Sequence, residues 1–178
     1  MDPVRSFFNT DKIWMHDYFP VYMKIALELG PAARACEIGV QNGESLRMWQ
    51  SLFPTGQVTG VDCDAGAVFP AGARRVIKYQ HDPELASLGS FDLIVDDASH
   101  NGKLTRRTFD ILWENVTPGG YYVIEDWFIG LERYTDNALD PSMLETARSF
   151  IEMLTKNSDC QSVTYRYGLI ILKKAACE

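Results

Sequence analysis

At 178 residues, with 46% hydrophobic and 23% charged residues, the chain has the composition of a globular protein long enough for one domain and a sizeable core. Its formal net charge of −7 argues against a broad basic footprint for nucleic acid. No apolar run approaches the roughly 20 residues that span a bilayer, and the opening Met1-Asp2-Pro3-Val4-Arg5 does not read as a signal peptide.

A short polar arm leads into residues 14–29, where apolar side chains recur at helical spacing until Gly30-Pro31 stops the helix. Arg34–Ile38 reads as a first strand, residues 44–53 as a helix ended by Pro54-Thr55-Gly56, and Gln57–Asp62 as a second strand. A short third strand is expected over residues 75–79 and a fourth over 91–97. Residues 103–115 have the pattern of an amphipathic helix. Thr117-Pro118-Gly119-Gly120 is a turn before a fifth strand at 121–126. Ser142–Lys156 is helical, with Asp140 and Pro141 near its start. The tail at 162–173 is β-rich, broken at Tyr167-Gly168, and reads as a hairpin. Strands alternating with helices predict a doubly wound, mostly parallel α/β sheet, with the final antiparallel hairpin at one edge making seven strands. Four cysteines show no zinc-type pairing. Cys36 and Cys63 fall in or just after strands, where a small apolar thiol packs well, and the cysteines are expected as reduced core residues in a cytoplasmic protein.

The strands end in acids. Glu37 closes the first, Asp62 the second, Asp96 and Asp97 the fourth, Glu125 and Asp126 the fifth. In an open parallel sheet these carboxyl ends share one rim, where ligands bind. Between Glu37 and Asp62 lies a glycine loop, Gly39-Val40-Gln41-Asn42-Gly43. Asp62 follows at about the twenty-residue spacing that lets an acid take both ribose hydroxyls. A carboxylate at Glu37 would repel a diphosphate. It suits a cationic ligand such as the aminocarboxypropyl sulfonium of S-adenosylmethionine. Isolated glycine motifs are weak, and an ordinary strand-turn-helix with incidental acids would look the same.

Three segments sharpen the reading: Cys36-Glu37-Ile38-Gly39-Val40-Gln41-Asn42-Gly43-Glu44-Ser45, Phe91-Asp92-Leu93-Ile94-Val95-Asp96-Asp97-Ala98-Ser99-His100, and Pro118-Gly119-Gly120-Tyr121-Tyr122-Val123-Ile124-Glu125-Asp126. With Thr10-Asp11-Lys12, His16, Tyr18 and Tyr22, they resemble class I S-adenosylmethionine-dependent methyltransferases, and more narrowly the metal-dependent macrocin and mycinamicin type of sugar O-methyltransferase. Ala98 stands where that family usually has glycine. The resemblance implies a Rossmann-like, S-adenosylmethionine-binding domain over residues 1–178, with 1–30 as an amino-terminal arm and helix. It also implies a small hydroxylated acceptor, a sugar or other natural product. It implies neither a nucleic-acid nor a membrane partner, and leaves a homo-oligomer open.

Residue chemistry assigns the expected roles. Glu37, Gly39, Gly43 and Ser45 would meet the amino-acid end of the cofactor, Asp62 the ribose and Asp82 the adenine amino group. Asp96 would meet the methionyl amine or satisfy backbone donors. Asp97, Glu125 and Asp126 offer hard oxygens for Mg²⁺, which would orient an acceptor hydroxyl and lower its pKa; solvated strand-end acids are the plainer alternative. His100, three residues past Asp97, suits a general base, or it caps the following helix. His16 lines the cofactor pocket or faces solvent, and His81 shapes the adenine pocket or is structural. Trp127, Phe128 and Tyr134 form either an acceptor wall or a hydrophobic loop anchor. Competing functions on this fold are a catechol or phenol O-methyltransferase, a cephalosporin-hydroxylase-like enzyme and a nucleoside-binding module. The hydroxylase is disfavoured because only His100 of the three histidines is expected at the metal rim.

Overall fold

The computed structural model describes residues 8–131, 142–156 and 159–176. Its helices are α1 (Asp11–Trp14), α2 (Phe19–Leu29), α3 (Glu44–Leu52), α4 (Gly102–Leu112) and α5 (Ser142–Lys156). Its strands are β1 (Arg34–Ile38), β2 (Gln57–Asp62), β3 (Arg74–Ile77), β4 (Phe91–Asp96), β5 (Val116–Glu125), β6 (Cys160–Arg166) and β7 (Leu169–Lys174). They form one sheet in the order β3-β2-β1-β4-β5-β7-β6. The pairs among β1 to β5 are parallel, and β7 runs antiparallel to both β5 and β6. The chain therefore winds outward in both directions from the β1/β4 boundary, the switch point where ligands sit in such sheets.

Both sheet faces are covered, which is why the central strands are apolar on alternate sides. Leu93, Val95, Val123 and Ile171 pack under α2 and α3 with Tyr22, Ile25, Trp49 and Phe53. Their neighbours Ile94, Tyr122, Ile124 and Ile170 pack under α4 and α5 with Phe109, Leu112 and Phe150. The period of two along the central strands sends successive residues into different cores, while the edge strands β3 and β6 stay largely exposed.

Where local chemistry overrides periodicity, boundaries move. The helix expected over 14–29 is two pieces, because Asp17 adopts a left-handed φ of 52° and Pro20 fixes the first turn of α2. The bend carries His16 and Tyr18 toward the rim. The turn expected at 117–120 is absorbed into β5 by a register shift opposite Phe91 and Leu93, and Asp126 leaves the strand with φ 53°. A 3-10 turn at Pro83–Leu88, capped by Asp82, was not anticipated. Cys63 is exposed rather than in the core, whereas Cys36 and Cys160 are buried and all three are free thiols. Cys177, Tyr134, Asp140 and Pro141 lie outside the described residues. Among those residues no helix is long and apolar enough to cross a membrane.

The β6–β7 turn closes against α2. Gly168 has φ 76°, and a Cβ there would overlap the Tyr18 hydroxyl and ring. Gly168→Ala should therefore cost more than the roughly 1 kcal/mol of an ordinary left-handed glycine replacement. Urea unfolding that gives unchanged stability would show that the turn and Tyr18 are not packed this way.

Candidate active site

The glycine loop is shaped by close backbone approach. Gly39, φ 95°, has no room for a Cβ against the Asp97 carbonyl, and Gly43, φ 75°, has none against the Val68 carbonyl. With Asp62, Asp97, His100 and Asp126, this loop lines a cavity of about 460 Å³. A second, more apolar cavity of about 250 Å³ adjoins it, lined by Ile38, Val61, Tyr79, His81 and Leu104. Gly39, Asp62 and Ala98 border both. Their chemistry fits a nucleoside with a charged tail: an apolar slot for a base, a polar one for an amino acid, and Asp62 between them. His81 Nδ1 is buried and without a hydrogen-bond partner at the apolar slot, a polar atom that a base edge could satisfy.

Asp62 is held before any ligand arrives. Its Oδ2 accepts from the Val40 and Gln41 N–H groups at 2.8 and 3.0 Å, and its Oδ1 from Asp64 N–H at 2.8 Å. Burial would raise its pKa, but these backbone donors outweigh it and hold the carboxyl below the usual range. Asp82 is not brought to the cavity: its oxygens accept from Glu84 N–H at 2.8 Å and from Lys78 at 3.1 Å. Asp96 is 2% exposed and sits beneath the rim, where burial pushes its pKa up to about 7. Ser45 Oγ donates to Glu37 Oε2 at 2.5 Å, so the structure spends this hydroxyl on Glu37.

The centre of the rim holds a residue to which the sequence assigned no role. Lys12, from α1, is fully buried, with its Nζ 2.6 Å from Asp97 Oδ2, 2.9 Å from Glu125 Oε2 and 3.3 Å from Glu37 Oε1. Burial alone would lower the ammonium pKa, but the Asp97, Glu125 and Glu37 carboxylates together raise it well above its ordinary value. Tyr22 donates to the other Glu125 oxygen. Burial first, then the Asp97 charge, pushes the Glu125 pKa well up despite Lys12 and Tyr22. Nothing in the pattern marks the lysine; Tyr18 and Tyr22, spaced i, i+4, were the available hint that this segment meets a buried polar group.

In front of this buried group, ligand atoms of Asp97, His100 and Asp126 all lie within 4.8 Å of one another. His100 Nε2 is 3.9 Å from Asp97 Oδ1 and 4.0 Å from Asp126 Oδ2. Two carboxylate oxygens aimed at one space fit a hard divalent cation. Glu125 lies behind them and would have to share an oxygen with Lys12 or Tyr22 to reach it. His100 has φ 52° and does not cap α4; Asn101 Oδ1 does, accepting from Lys103 and Leu104 N–H. His16, left open between the cofactor pocket and solvent, also reaches the rim where only His100 was expected, with its Nε2 4.0 Å from Asp126 Oδ2 and its ring stacked on Tyr18. Tyr18 donates to Asp126 Oδ1 at 2.6 Å. Trp127 anchors its loop to the hairpin through Nε1 to the Arg166 carbonyl at 2.9 Å, while Phe128 stacks on Tyr167.

No protein-family model matches the chain. Over 106 residues it is 41% identical to mycinamicin VI 2''-O-methyltransferase of Micromonospora griseorubida, a match covering 52% of this chain and 27% of that protein. Over 110 residues it is 38% identical to L-olivosyl-oleandolide 3-O-methyltransferase of Streptomyces antibioticus, covering 54% and 28%. The MycE methyltransferase of the mycinamycin biosynthetic pathway, solved with Mg and SAH, superimposes with a TM-score of 0.83 at 28% identity, over 97% of this chain and 54% of that one. The chain has the class I methyltransferase fold and is related to the macrolide sugar O-methyltransferases. It spans little more than a quarter of these two curated relatives and about half of that structure. A Podospora anserina methyltransferase, PaMTH1, solved with SAH, shares the fold at 14% identity and a TM-score of 0.66.

Tyr22→Phe should destabilise this relative of the sugar methyltransferases by about 1–3 kcal/mol, since it strips a donor from the buried Glu125 carboxylate. A urea midpoint and slope equal to those of the parent would mean that the hydroxyl carries no net stabilisation.

Proposed function

We propose that the chain is the catalytic domain of an S-adenosylmethionine-dependent O-methyltransferase that modifies a sugar hydroxyl of a natural product with the help of a divalent cation, probed first as Mg²⁺. The single observation that carries the reading is the convergence of Asp97, His100 and Asp126 beside a two-part cavity joined at Asp62. The sequence relationship to named sugar O-methyltransferases and the Mg and SAH in MycE support it.

In this reading the base occupies the apolar slot beside Tyr79 and His81, and Asp62 takes the ribose. The amino-acid end lies along the Gly39–Gly43 loop toward Glu37. Asp97 and Asp126 hold the cation, with Glu125 and its two donors directly behind. A bound cation there supplies Lewis acidity toward the acceptor hydroxyl, and the cofactor supplies the methyl group. The chain's own contribution is alignment. Rigid strand ends fix where hydroxyl and sulfonium meet, which removes much of the entropic barrier. His100 Nε2 takes the hydroxyl proton. Its left-handed backbone, a strained state for a non-glycine residue, turns the imidazole between the two carboxylates.

A panel of glycosides, catechols and phenols, assayed for S-adenosylhomocysteine with Mg²⁺ and with chelator, tests the reading. Methylation of a glycoside that chelation abolishes and Mg²⁺ restores is the expected result. Full turnover in metal-free protein would overturn the cation's role, and preference for a catechol or phenol would move the acceptor class. His16 and His100 also bracket Asp126, each with Nε2 4.0 Å from Oδ2. Two imidazoles and a carboxylate are the donor set of an Fe(II) oxygenase, but among the described residues the cluster of ligand atoms within 4.8 Å is Asp97, His100 and Asp126 without His16, so Fe(II) under oxygen serves as the control metal. Iron-dependent oxygen consumption would favour the hydroxylase reading.

His100→Ala separates base from ligand. As a base, its loss should lower turnover by about 10²–10⁴ while Mg²⁺ affinity persists. Loss of Mg²⁺ affinity, measured calorimetrically, would make the imidazole a ligand instead.

A further inference from the structure

We propose that Lys12 is a positioning residue: its ammonium draws back Asp97 Oδ2 and so leaves Asp97 Oδ1 facing His100 and Asp126 as the oxygen available to a cation. The inference rests on the cation-assisted reading above. It goes beyond that reading by assigning the aim of the ligand set to a segment distant in sequence from the strand ends.

Lys12 Nζ meets Asp97 Oδ2 at 2.6 Å, the shortest of its three carboxylate contacts, while Oδ1 of the same group lies 3.9 Å from His100 Nε2. One carboxylate thus has one oxygen spoken for from behind and one turned to the cavity. Glu125 is fixed similarly, with one oxygen on Lys12 and the other on Tyr22. Glu37 Oε1 is the loosest partner, 3.3 Å from Nζ and without a hydrogen bond. The lysine therefore spans the cofactor end of the rim at Glu37 and the cation end at Asp97. A buried cation among carboxylates could serve charge balance alone. Charge balance would be met by any net-neutral replacement, whereas aiming Oδ1 requires a donor at this one place.

The test separates those roles with two variants and a binding readout. Mn²⁺ serves as the probe, its binding followed by electron paramagnetic resonance. Lys12→Met with Glu37→Gln removes one positive and one negative charge together and so keeps the net charge of the rim, although Asp97 and Glu125 lose their buried partner and some stability with it; circular dichroism checks that the variant is folded. Mn²⁺ affinity should still fall by about ten-fold or more, the usual cost of removing a group that orients a metal ligand. Lys12→Arg keeps the charge but replaces a compact ammonium with a planar fork, and should show the same loss. Mn²⁺ affinity within about two-fold of the parent in either folded variant would overturn the inference while leaving the function above intact. If the double variant fails to fold, the arginine variant decides. A parent protein that binds no Mn²⁺ would overturn the cation-assisted reading and this inference with it.

Discussion

The rim depends on one buried ammonium. Three carboxylates, Glu37, Asp97 and Glu125, come from three strands and meet within salt-bridge distance of Lys12 Nζ. Taking such groups out of water costs several kcal/mol each, and their mutual repulsion adds to it. A single cation relieves part of both. Removing one partner of a buried pair typically costs about 3–5 kcal/mol because the others are left uncompensated. The sheet can therefore bring acid-tipped strands together only because α1 folds back over their ends. The amino-terminal turn is thus part of the frame of the candidate site and not an appendage to it.

That arrangement divides the acids by depth. Glu37 and Glu125 are buried and face Lys12; Asp97 and Asp126 are partly open and face the cavity. Backbone strain follows the same boundary. Asp17, Gln41, His100 and Asp126 are the non-glycine residues with positive φ among the described residues, and each belongs to a segment bordering the rim. Left-handed backbone at such residues persists only where surrounding contacts over-determine it. Here Asn101 takes over the capping of α4, Tyr18 bonds Asp126, and the Gly168 turn presses on Tyr18. Each contact frees or aims a side chain for chemistry that helix or strand geometry alone would not allow.

Much of this was legible in the sequence, for a physical reason. The strands carry long apolar runs because both faces are buried, and an acid ending such a run has nowhere to go but the rim. Glu37, Asp62, Asp97 and Asp126 could be placed from that alone, as could the hairpin from Tyr167-Gly168. Asp82 could not, because an acid before Pro83 reads equally as a ligand contact and as the cap it turned out to be. Cys63 was misplaced for a similar reason: one residue past a strand end, the alternation that predicts burial no longer applies.

Lys12 was hidden by a different limit. Sequence periodicity reports which face of an element is buried, not what that face meets after the chain folds back. A lysine in a four-residue helix carries no periodic signal, and its default reading is a solvated charge. What reverses that reading is an excess of buried acid on remote strands, visible only as a sum over the rim. Five acids there, counting Glu37, Asp62, Asp97, Glu125 and Asp126, demand positive charge from somewhere. A resident lysine meets part of that demand permanently, and the remainder is what the proposed cofactor and dication would answer. The same excess that makes the rim costly is what would give it affinity for both.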